Sequence, residues 1–253
     1  MFDLTASASL AVSAIIGVQV GRVLGVLPGF VAAVVAGAVL GFVTGSIVVR
    51  SGVNSFIATL ATSIIYRGVA VVATAGSIVY PLSKDATDFG MMTWPSLFGL
   101  TSATVLFIVV VAAIGVLISS TTFGRRVYAV GGNAEAAYLS GIRVGQVKIA
   151  AYVVSGICSA LAGVILSSRA GSADSSMATG MELTAIAAAV IGGTSILGGE
   201  GAIWRGVIGA LLLTLIGNGF NLLGWNTTYQ QVVQGCLILL AVAVDRYLRK
   251  RAR

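Results

Sequence analysis

Apolar residues recur along the chain in runs about as long as a membrane is thick. A bilayer core of about 30 Å needs about 20 apolar residues of helix, because no water is available there to satisfy unpaired backbone groups. The apolar runs, which carry almost no formal charge, predict eight transmembrane helices in an all-α polytopic membrane protein. The predicted spans are 4–21, 23–49, 53–82, 96–118, 149–168, 183–199, 206–223 and 231–245.

Two of these spans have a second interpretation. The run 53–82 contains Arg67, and the run 183–199 is short and ends in glycines. Each is therefore either a full span or a broken, partly re-entrant helix. No polar stretch between the runs exceeds about thirty residues, so the pattern predicts a single transmembrane domain over residues 1–253.

Composition agrees with this class and removes others. Apolar residues make up 57% of the chain and charged residues 9%, against about 25% charge in a soluble domain, which excludes a water-soluble globule. Histidine is absent, which removes the commonest general base and the usual metal ligand. We therefore expect a protein that is not an enzyme and that holds no metal and no cofactor.

Positive charge is distributed unequally between the two predicted sides of the membrane. Arg67 lies within a span, and only Arg22, Lys84 and Arg169 fall on one side. The remaining basic residues fall on the other side: Arg50, Arg125, Arg126, Arg143, Lys148, Arg205, Arg246, Arg249, Lys250, Arg251 and Arg253. Because cytoplasmic loops carry the excess of Lys and Arg, this side is predicted to be cytoplasmic, with both chain ends. The basic tail then anchors the chain at anionic lipid, and no nucleic-acid partner is expected.

A weak internal repeat relates the two ends of the chain. Residues 2–6 (Phe-Asp-Leu-Thr-Ala) are similar to residues 181–185 (Met-Glu-Leu-Thr-Ala), and residues 37–55 share their glycine spacing with 209–227. An odd number of predicted spans lies between the copies, so the halves 1–82 and 181–245 are predicted to be inverted relative to each other. Inverted repeats are typical of transporters. Alanine- and glycine-rich helices also resemble one another by composition alone.

The only sizeable hydrophilic segment runs from Ser119 to Lys148. Asn133 is placed to cap a short helix over 134–140 that ends at Gly141. Such a helix presents Tyr138, Leu139 and Ile142 to a groove on a partner, unless the segment is only a solvated connector.

Four stretches carry a resemblance to a known family. They are 124–142 (from Gly-Arg-Arg to Ser-Gly-Ile), 180–201 (with Gly-Gly-Thr-Ser and Gly-Gly), 218–224 and, more weakly, 54–68. The sequence resembles permease subunits of bacterial ABC importers for monosaccharides, of the ribose and xylose type, which are related to branched-chain amino-acid permeases. The resemblance covers essentially the whole chain. Relative to the family pattern, the chain begins almost at its acidic motif, Asp3, and is short by one or two apolar spans.

The resemblance implies that the segment 119–148 is a coupling loop that docks on a separate ATP-binding subunit. The residues implied in this coupling are Arg125, Arg126, Glu135, Ala136, Ala137 and Gly141. It further implies a second permease copy, as a homodimer or heterodimer, and a solute-binding protein that delivers a sugar from outside. The location implied is the bacterial plasma (inner) membrane, with the C-terminus in the cytoplasm. ATP is expected to be hydrolysed on the partner, because the chain has no phosphate-binding P-loop.

Polar residues within the predicted spans are candidates for a transport pathway. A charge in the membrane interior costs about 2.5–3.5 kcal/mol or more unless it is paired or hydrated. Arg67 is therefore expected either to contact a carboxylate and so hold the two repeats together, or to contact the sugar directly. The pathway candidates are Asp3, Arg67, Glu182, Thr194, Ser195, Asn218, Asn221 and Asn226. For the asparagines, hydrogen bonding between helices is the competing explanation.

The leading hypothesis is thus a permease subunit of an ATP-driven monosaccharide importer. One alternative is an ion-coupled secondary carrier, which needs acidic groups inside its spans. The other is a permease for branched-chain amino acids.

Overall fold

The computed structural model describes residues 2–82, 89–90, 95–97, 99–195, 198–224, 232–233 and 235–236. The helices are α1 (Ala6–Leu24), α2 (Val26–Ser51), α3 (Ser55–Thr74), α4 (Ser102–Ser120), α5 (Thr122–Gly132), α6 (Ala134–Leu139), α7 (Val144–Ala170), α8 (Met181–Ile191) and α9 (Ile203–Leu222). A two-stranded antiparallel hairpin of β1 (Pro95–Leu97) and β2 (Leu100–Thr101) precedes α4.

Local sequence signals set several helix ends. The Asn54 side chain accepts a hydrogen bond of 2.9 Å from the backbone N–H of Phe56 and so caps the start of α3. Left-handed glycines follow α2 and α7, at Gly52 (φ 64°) and Gly171 (φ 67°), where a side chain would be strained.

The chain divides into two compact units. The first consists of Met1–Ala113 and Gly141–Glu182, and the second of Ile114–Ser140 and Leu183–Arg253.

In the first unit, α1 is the central helix and packs against α2, α3 and α7. Its buried residues join Tyr66, Val79, Ala173 and Met177 in one apolar cluster. Two backbone hydrogen bonds of 2.8 Å between Val79 and Ala173 tie the segment after α3 to the segment after α7.

Close packing in this unit depends on a row of small residues on α2. Every fourth residue of the row is Gly or Ala, and all five are buried: Gly29, Ala33, Gly37, Gly41 and Gly45. A Cβ atom at Gly29 would lie 2.9 Å from Cα of Gly21 on α1, and one at Gly41 would lie 2.9 Å from Cα of Val153 on α7. The helices therefore touch backbone to backbone, as small residues four apart allow in membranes.

In the second unit, α8 and α9 make the same kind of contact. A Cβ atom at Gly209 would collide with the carbonyl of Ala188, and one at Gly192 with the carbonyl of Arg205. Ala187, Ala188 and Leu213 form the small core between the two helices. Residues 192–202, which join α8 to α9, are called the glycine loop below.

Six helices of the described chain are long and apolar enough to cross a membrane: α1, α2, α3, α4, α7 and α9. They coincide with six of the predicted spans, consistent with an all-α polytopic membrane protein. The predicted span 183–199 overlaps only the 11-residue α8, which starts at Met181 and ends at Ile191, before Gly192 and Gly193. This is the broken-helix alternative. The predicted span 231–245 lies almost wholly outside the described residues.

The contact between α2 and α7 predicts that Gly41→Ala destabilises the protein. The new methyl group meets the backbone of Tyr152 and Val153, and overpacking of this kind costs about 1–3 kcal/mol. The matched control is Gly68→Ala on α3, where nothing lies within 4 Å of the added atom and Ala favours a helix. Unfolding of the purified variants in detergent measures both. Equal stability of the two variants would contradict the contact.

Candidate functional site

The chain approaches α1 through residues 2–5, which are not helical. Side chains satisfy the backbone groups of Phe2 in this segment. Its N–H donates to Ser55 Oγ at 3.4 Å, and its carbonyl accepts from the Tyr152 hydroxyl at 3.2 Å and from Thr59 Oγ1 at 3.5 Å. Non-helical backbone inside a membrane protein requires such internal partners.

Asp3 joins this segment to α7 and is half-buried. One carboxylate oxygen, Oδ1, accepts from the backbone N–H of Thr5 at 2.9 Å and from its hydroxyl at 2.6 Å. The other, Oδ2, accepts from Ser155 Oγ on α7 at 2.7 Å. The carboxylate therefore closes a turn before α1 and holds this turn against a helix 152 residues further along the chain.

Arg67 lies on α3 and also reaches the start of α1. Its guanidinium donates to the carbonyl of Ser175 at 2.7 Å, to the carbonyl of Met177 at 3.4 Å and to Ser7 Oγ at 3.0 Å. Among the described residues, the partners of Arg67 are two backbone carbonyls and a hydroxyl, and the predicted pairing with a carboxylate is not found there. The physical reason is that segment 175–177 turns its carbonyls toward α3, and these satisfy the cation. Asp3 and Arg67 thus both contact the start of α1 without bonding to each other.

Glu182 lies in the first turn of α8. Its Oε2 atom is buried and has no hydrogen-bond partner among the described residues.

Thr194 and Ser195 lie in the glycine loop after the end of α8. The N–H of Thr194 donates to the carbonyl of Ala189 at 2.9 Å, and the N–H of Ser195 donates to the carbonyl of Glu200 at 3.0 Å. Ser195 is buried, and its Oγ has no partner in the described chain. The loop is thus a compact turn with its own backbone bonds.

Asn218 and Asn221 lie one turn apart on α9, and both are exposed. Asn226 lies outside the described residues.

The predicted coupling segment begins with a sharp reversal between α4 and α5. Thr121 caps α5 by accepting from the N–H of Gly124 at 3.3 Å. A Cβ atom at Gly124 would overlap the carbonyl of Ile118, so only glycine permits this turn. Arg125 and Arg126 follow it and are exposed.

The predicted short helix is confirmed as α6, one residue shorter than expected at its C-terminus. The Asn133 side chain accepts at 3.0 Å from the N–H groups of both Glu135 and Ala136, and Gly141 follows the helix with φ 82°. Within α6, Ala137 is buried, whereas Glu135 and Ala136 are exposed.

The outer face of α6 carries two large side chains. Tyr138 is 70% exposed and Leu139 is 79% exposed. Two adjacent exposed apolar groups on a capped helix form a surface suited to a groove on another protein.

Sequence reasoning missed two polar links. One is the bond from Ser155 to Asp3, and the other is a bond of 2.7 Å from the Tyr128 hydroxyl on α5 to the carbonyl of Gly201. Both join residues far apart in the sequence, and a serine or a tyrosine carries no signal of its distant acceptor. In the described part of the chain, no group of three His, Cys, Asp or Glu side chains is placed to hold a metal ion.

A protein-family model for the permease component of branched-chain amino acid transport systems matches residues 1–242. The ribose import permease RbsC of Bacillus subtilis is 42% identical over 202 residues, which cover 79% of this chain and 62% of that protein. The D-allose permease AlsC of Escherichia coli is 40% identical, with 79% of this chain and 60% of that protein covered.

The L-arabinose permease AraH of Escherichia coli is 40% identical over 82% of this chain and 62% of its own length. The matches thus span about three fifths of the length of these curated relatives. No solved structure matches the chain.

The contacts of Asp3 predict that Asp3→Ala lowers stability by about 1–3 kcal/mol, because it leaves the Thr5 and Ser155 donors without their acceptor. Asp3→Asn keeps an acceptor for Thr5, and its amide can donate to Ser155, so its loss is smaller. Asp174 makes the same pair of bonds to Ser176 in a more exposed turn and is the control. Melting in detergent should show a larger loss for Asp3→Ala than for Asp174→Ala, and the reverse order would contradict a bridging role.

Proposed function

Because the chain belongs to the family of permease components of branched-chain amino acid transport systems, we propose that it is the membrane-spanning subunit of an ATP-driven importer. Its cargo in this proposal is a monosaccharide, which a solute-binding protein delivers from outside and which passes into the cytoplasm. ATP hydrolysis takes place on a separate ATP-binding cassette subunit. The chain itself contributes the pathway and the docking surface, with no cofactor.

The observation that carries the proposal is the exposed helix α6. In the sequence, α6 comes after the membrane-length helix α4 and before the membrane-length helix α7. It is capped at its start by Asn133 and ends at a left-handed glycine, Gly141. A helix of six residues is too short to be stable alone, so its cap and the buried Ala137 are needed to hold its shape. With its shape held in this way, α6 offers Tyr138 and Leu139 to the ATP-binding subunit.

The cargo class is inferred from the relatives. Three proteins at 40–42% identity are permeases for ribose, D-allose and L-arabinose, all neutral monosaccharides. Candidate pathway groups are Asp3, Arg67, Glu182, Thr194, Ser195, Asn218, Asn221 and Asn226. The buried, unpartnered oxygens of Glu182 and Ser195 support this role, because a buried polar atom without a partner is costly unless water or a solute reaches it.

We infer the assembly from the same function. Two permease chains, as a homodimer or heterodimer, form the pathway in a bacterial inner membrane, with two ATP-binding subunits on the cytoplasmic side. The C-terminus and α6 lie on that side, in keeping with the distribution of Lys and Arg.

We also infer a single domain of eight spans with inverted repeat halves, 1–82 and 181–245. Matching left-handed glycines support the repeat: Gly52 (φ 64°) follows α2, and Gly224 (φ 66°) follows α9. The acidic residues Asp3 and Glu182 likewise stand at the starts of α1 and α8. The break after α8 is compatible with a discontinuous helix of the kind that transporters use.

A branched-chain amino acid is the second candidate cargo, favoured by the description of the family model. A carrier driven by an ion gradient is less well supported, since Asp3 is engaged by three hydrogen bonds from Thr5 and Ser155.

The docking surface predicts that Tyr138→Ala combined with Leu139→Ala weakens binding of the ATP-binding subunit at least about tenfold, equivalent to about 1.4 kcal/mol. Both side chains are exposed, so the fold should be unaffected. The chain is co-expressed with the ATP-binding subunit of a ribose-type importer from the same source, and the captured subunit is measured.

Tyr80→Ala is the matched control, because Tyr80 is 58% exposed and lies after α3, outside the coupling segment. Glu135→Ala and Gly141→Arg test the same helix at its acidic first turn and at its left-handed end. Normal capture by the double variant, or no capture by the unmutated chain, would reject the proposal.

Cargo is tested by uptake of labelled ribose and labelled leucine into vesicles that hold the assembled importer and excess binding protein for each solute. We expect ATP-dependent uptake of ribose and none of leucine. Uptake of leucine alone would replace the monosaccharide with an amino acid, and uptake without ATP would indicate a secondary carrier.

A further inference from the structure

One face of α5 meets the glycine loop at three positions. Gly131 and Gly132 follow Tyr128 by three and four residues, so all three lie on one side of the helix. The Tyr128 hydroxyl donates to the carbonyl of Gly201 at 2.7 Å. A Cβ atom at Gly131 would lie 3.0 Å from the backbone N of Gly199, and a Cβ atom at Gly199 would lie 2.8 Å from Cα of Gly132.

The contact is made by backbone on both sides. Gly198 and Gly199 have φ values of 92° and 77°, which side chains rarely adopt, and a Cβ atom at Gly198 would collide with the carbonyl of Gly131. Two backbones in direct contact leave no flexible side chain between them. A displacement of α5 is therefore transmitted to the loop, because close-packed groups have no empty space to absorb it.

Both partners in the contact are also stiffly joined to the neighbouring helices. Asn133 alone separates α5 from α6, and it is both the C-terminal cap of the first and the N-terminal cap of the second. On the other side, the bonds from Thr194 to Ala189 and from Ser195 to Glu200 fix the loop to α8 and to itself. Gly192 against Arg205 then joins this turn to α9.

We propose that Tyr128 is a positioning residue for coupling: it holds α5, which α6 follows directly, against residues 198–201 of the glycine loop that joins α8 to α9. Movement that the ATP-binding subunit imposes on α6 then reaches the helices of the second unit along this route. The inference rests on the proposed function and names the contact through which its docking helix acts. Tyr128 touches neither the solute nor ATP in this proposal.

The test compares Tyr128→Phe, which removes only the hydroxyl, with Tyr80→Phe, the matched change at an exposed tyrosine outside the coupling segment. In lipid nanodiscs with the ATP-binding subunit and ribose-loaded binding protein, the ratio of stimulated to basal ATP hydrolysis is measured. Tyr128→Phe should lower this ratio by about 2- to 30-fold, a range typical of mutations along coupling networks. Capture of the ATP-binding subunit should be unchanged, and Tyr80→Phe should leave the ratio unaltered.

A second readout separates positioning from general stability. Hydrogen exchange of the Thr194 and Ser195 amides should change when the ATP-binding subunit binds the unmutated chain, and this change should be lost in Tyr128→Phe. Combination with Gly198→Ala should be less than additive, since both changes break one contact. An unchanged ratio together with an unchanged exchange response would overturn the inference alone. Failure of the unmutated chain to capture the ATP-binding subunit would overturn the proposed function, and the inference with it.

Discussion

Backbone-to-backbone contact between helices is the constraint on which the rest of this structure depends. In a membrane, apolar side chains gain nothing by leaving lipid for one another, so helices associate through close approach and polar bonds. The row from Gly29 to Gly45 on α2 provides that approach to α1 at one end and to α7 at the other. Because α2 contacts both α1 and α7, it fixes the position of these two helices relative to each other. The bond between Ser155 on α7 and Asp3 at the start of α1 requires this fixed position.

Hydrogen bonds in the interior of the first unit add to this close packing. The non-helical residues 2–5 are held by hydroxyl groups from α3 and α7, and the cation of Arg67 is stabilised by hydrogen bonds to the carbonyls of Ser175 and Met177. In the second unit, backbone contact takes the place of such polar side chains, since the glycine loop meets α5 with almost no side chain between them.

Sequence alone predicted the features that depend on local composition. Charge-free length gave six of the membrane helices to within several residues, and the position of Asn133 gave the start of α6. In the span 183–199, the paired glycines at 192 and 193 indicated where the helix ends, because glycines end a helix more readily than they extend it. The partners of Arg67 could not be predicted, since backbone carbonyls are present at every residue and carry no sequence signal. The acceptor of Tyr128 was hidden for the same reason, and the link from Asp3 to Ser155 depends on the packing of helices distant in sequence.

The helix at the centre of the first unit is poorly suited to lipid. Buried hydroxyls at Ser7, Ser9 and Ser13 lie along α1, and most of its membrane-length window is covered by protein. During synthesis, α1 and α2 are made well before α7, which begins at Val144. Until α7 is made, the side of α1 that packs against it has no partner from its own chain. The burial of α1 is therefore complete only after residue 170 of 253 has been made, so this helix enters the fold before one of the helices that cover it.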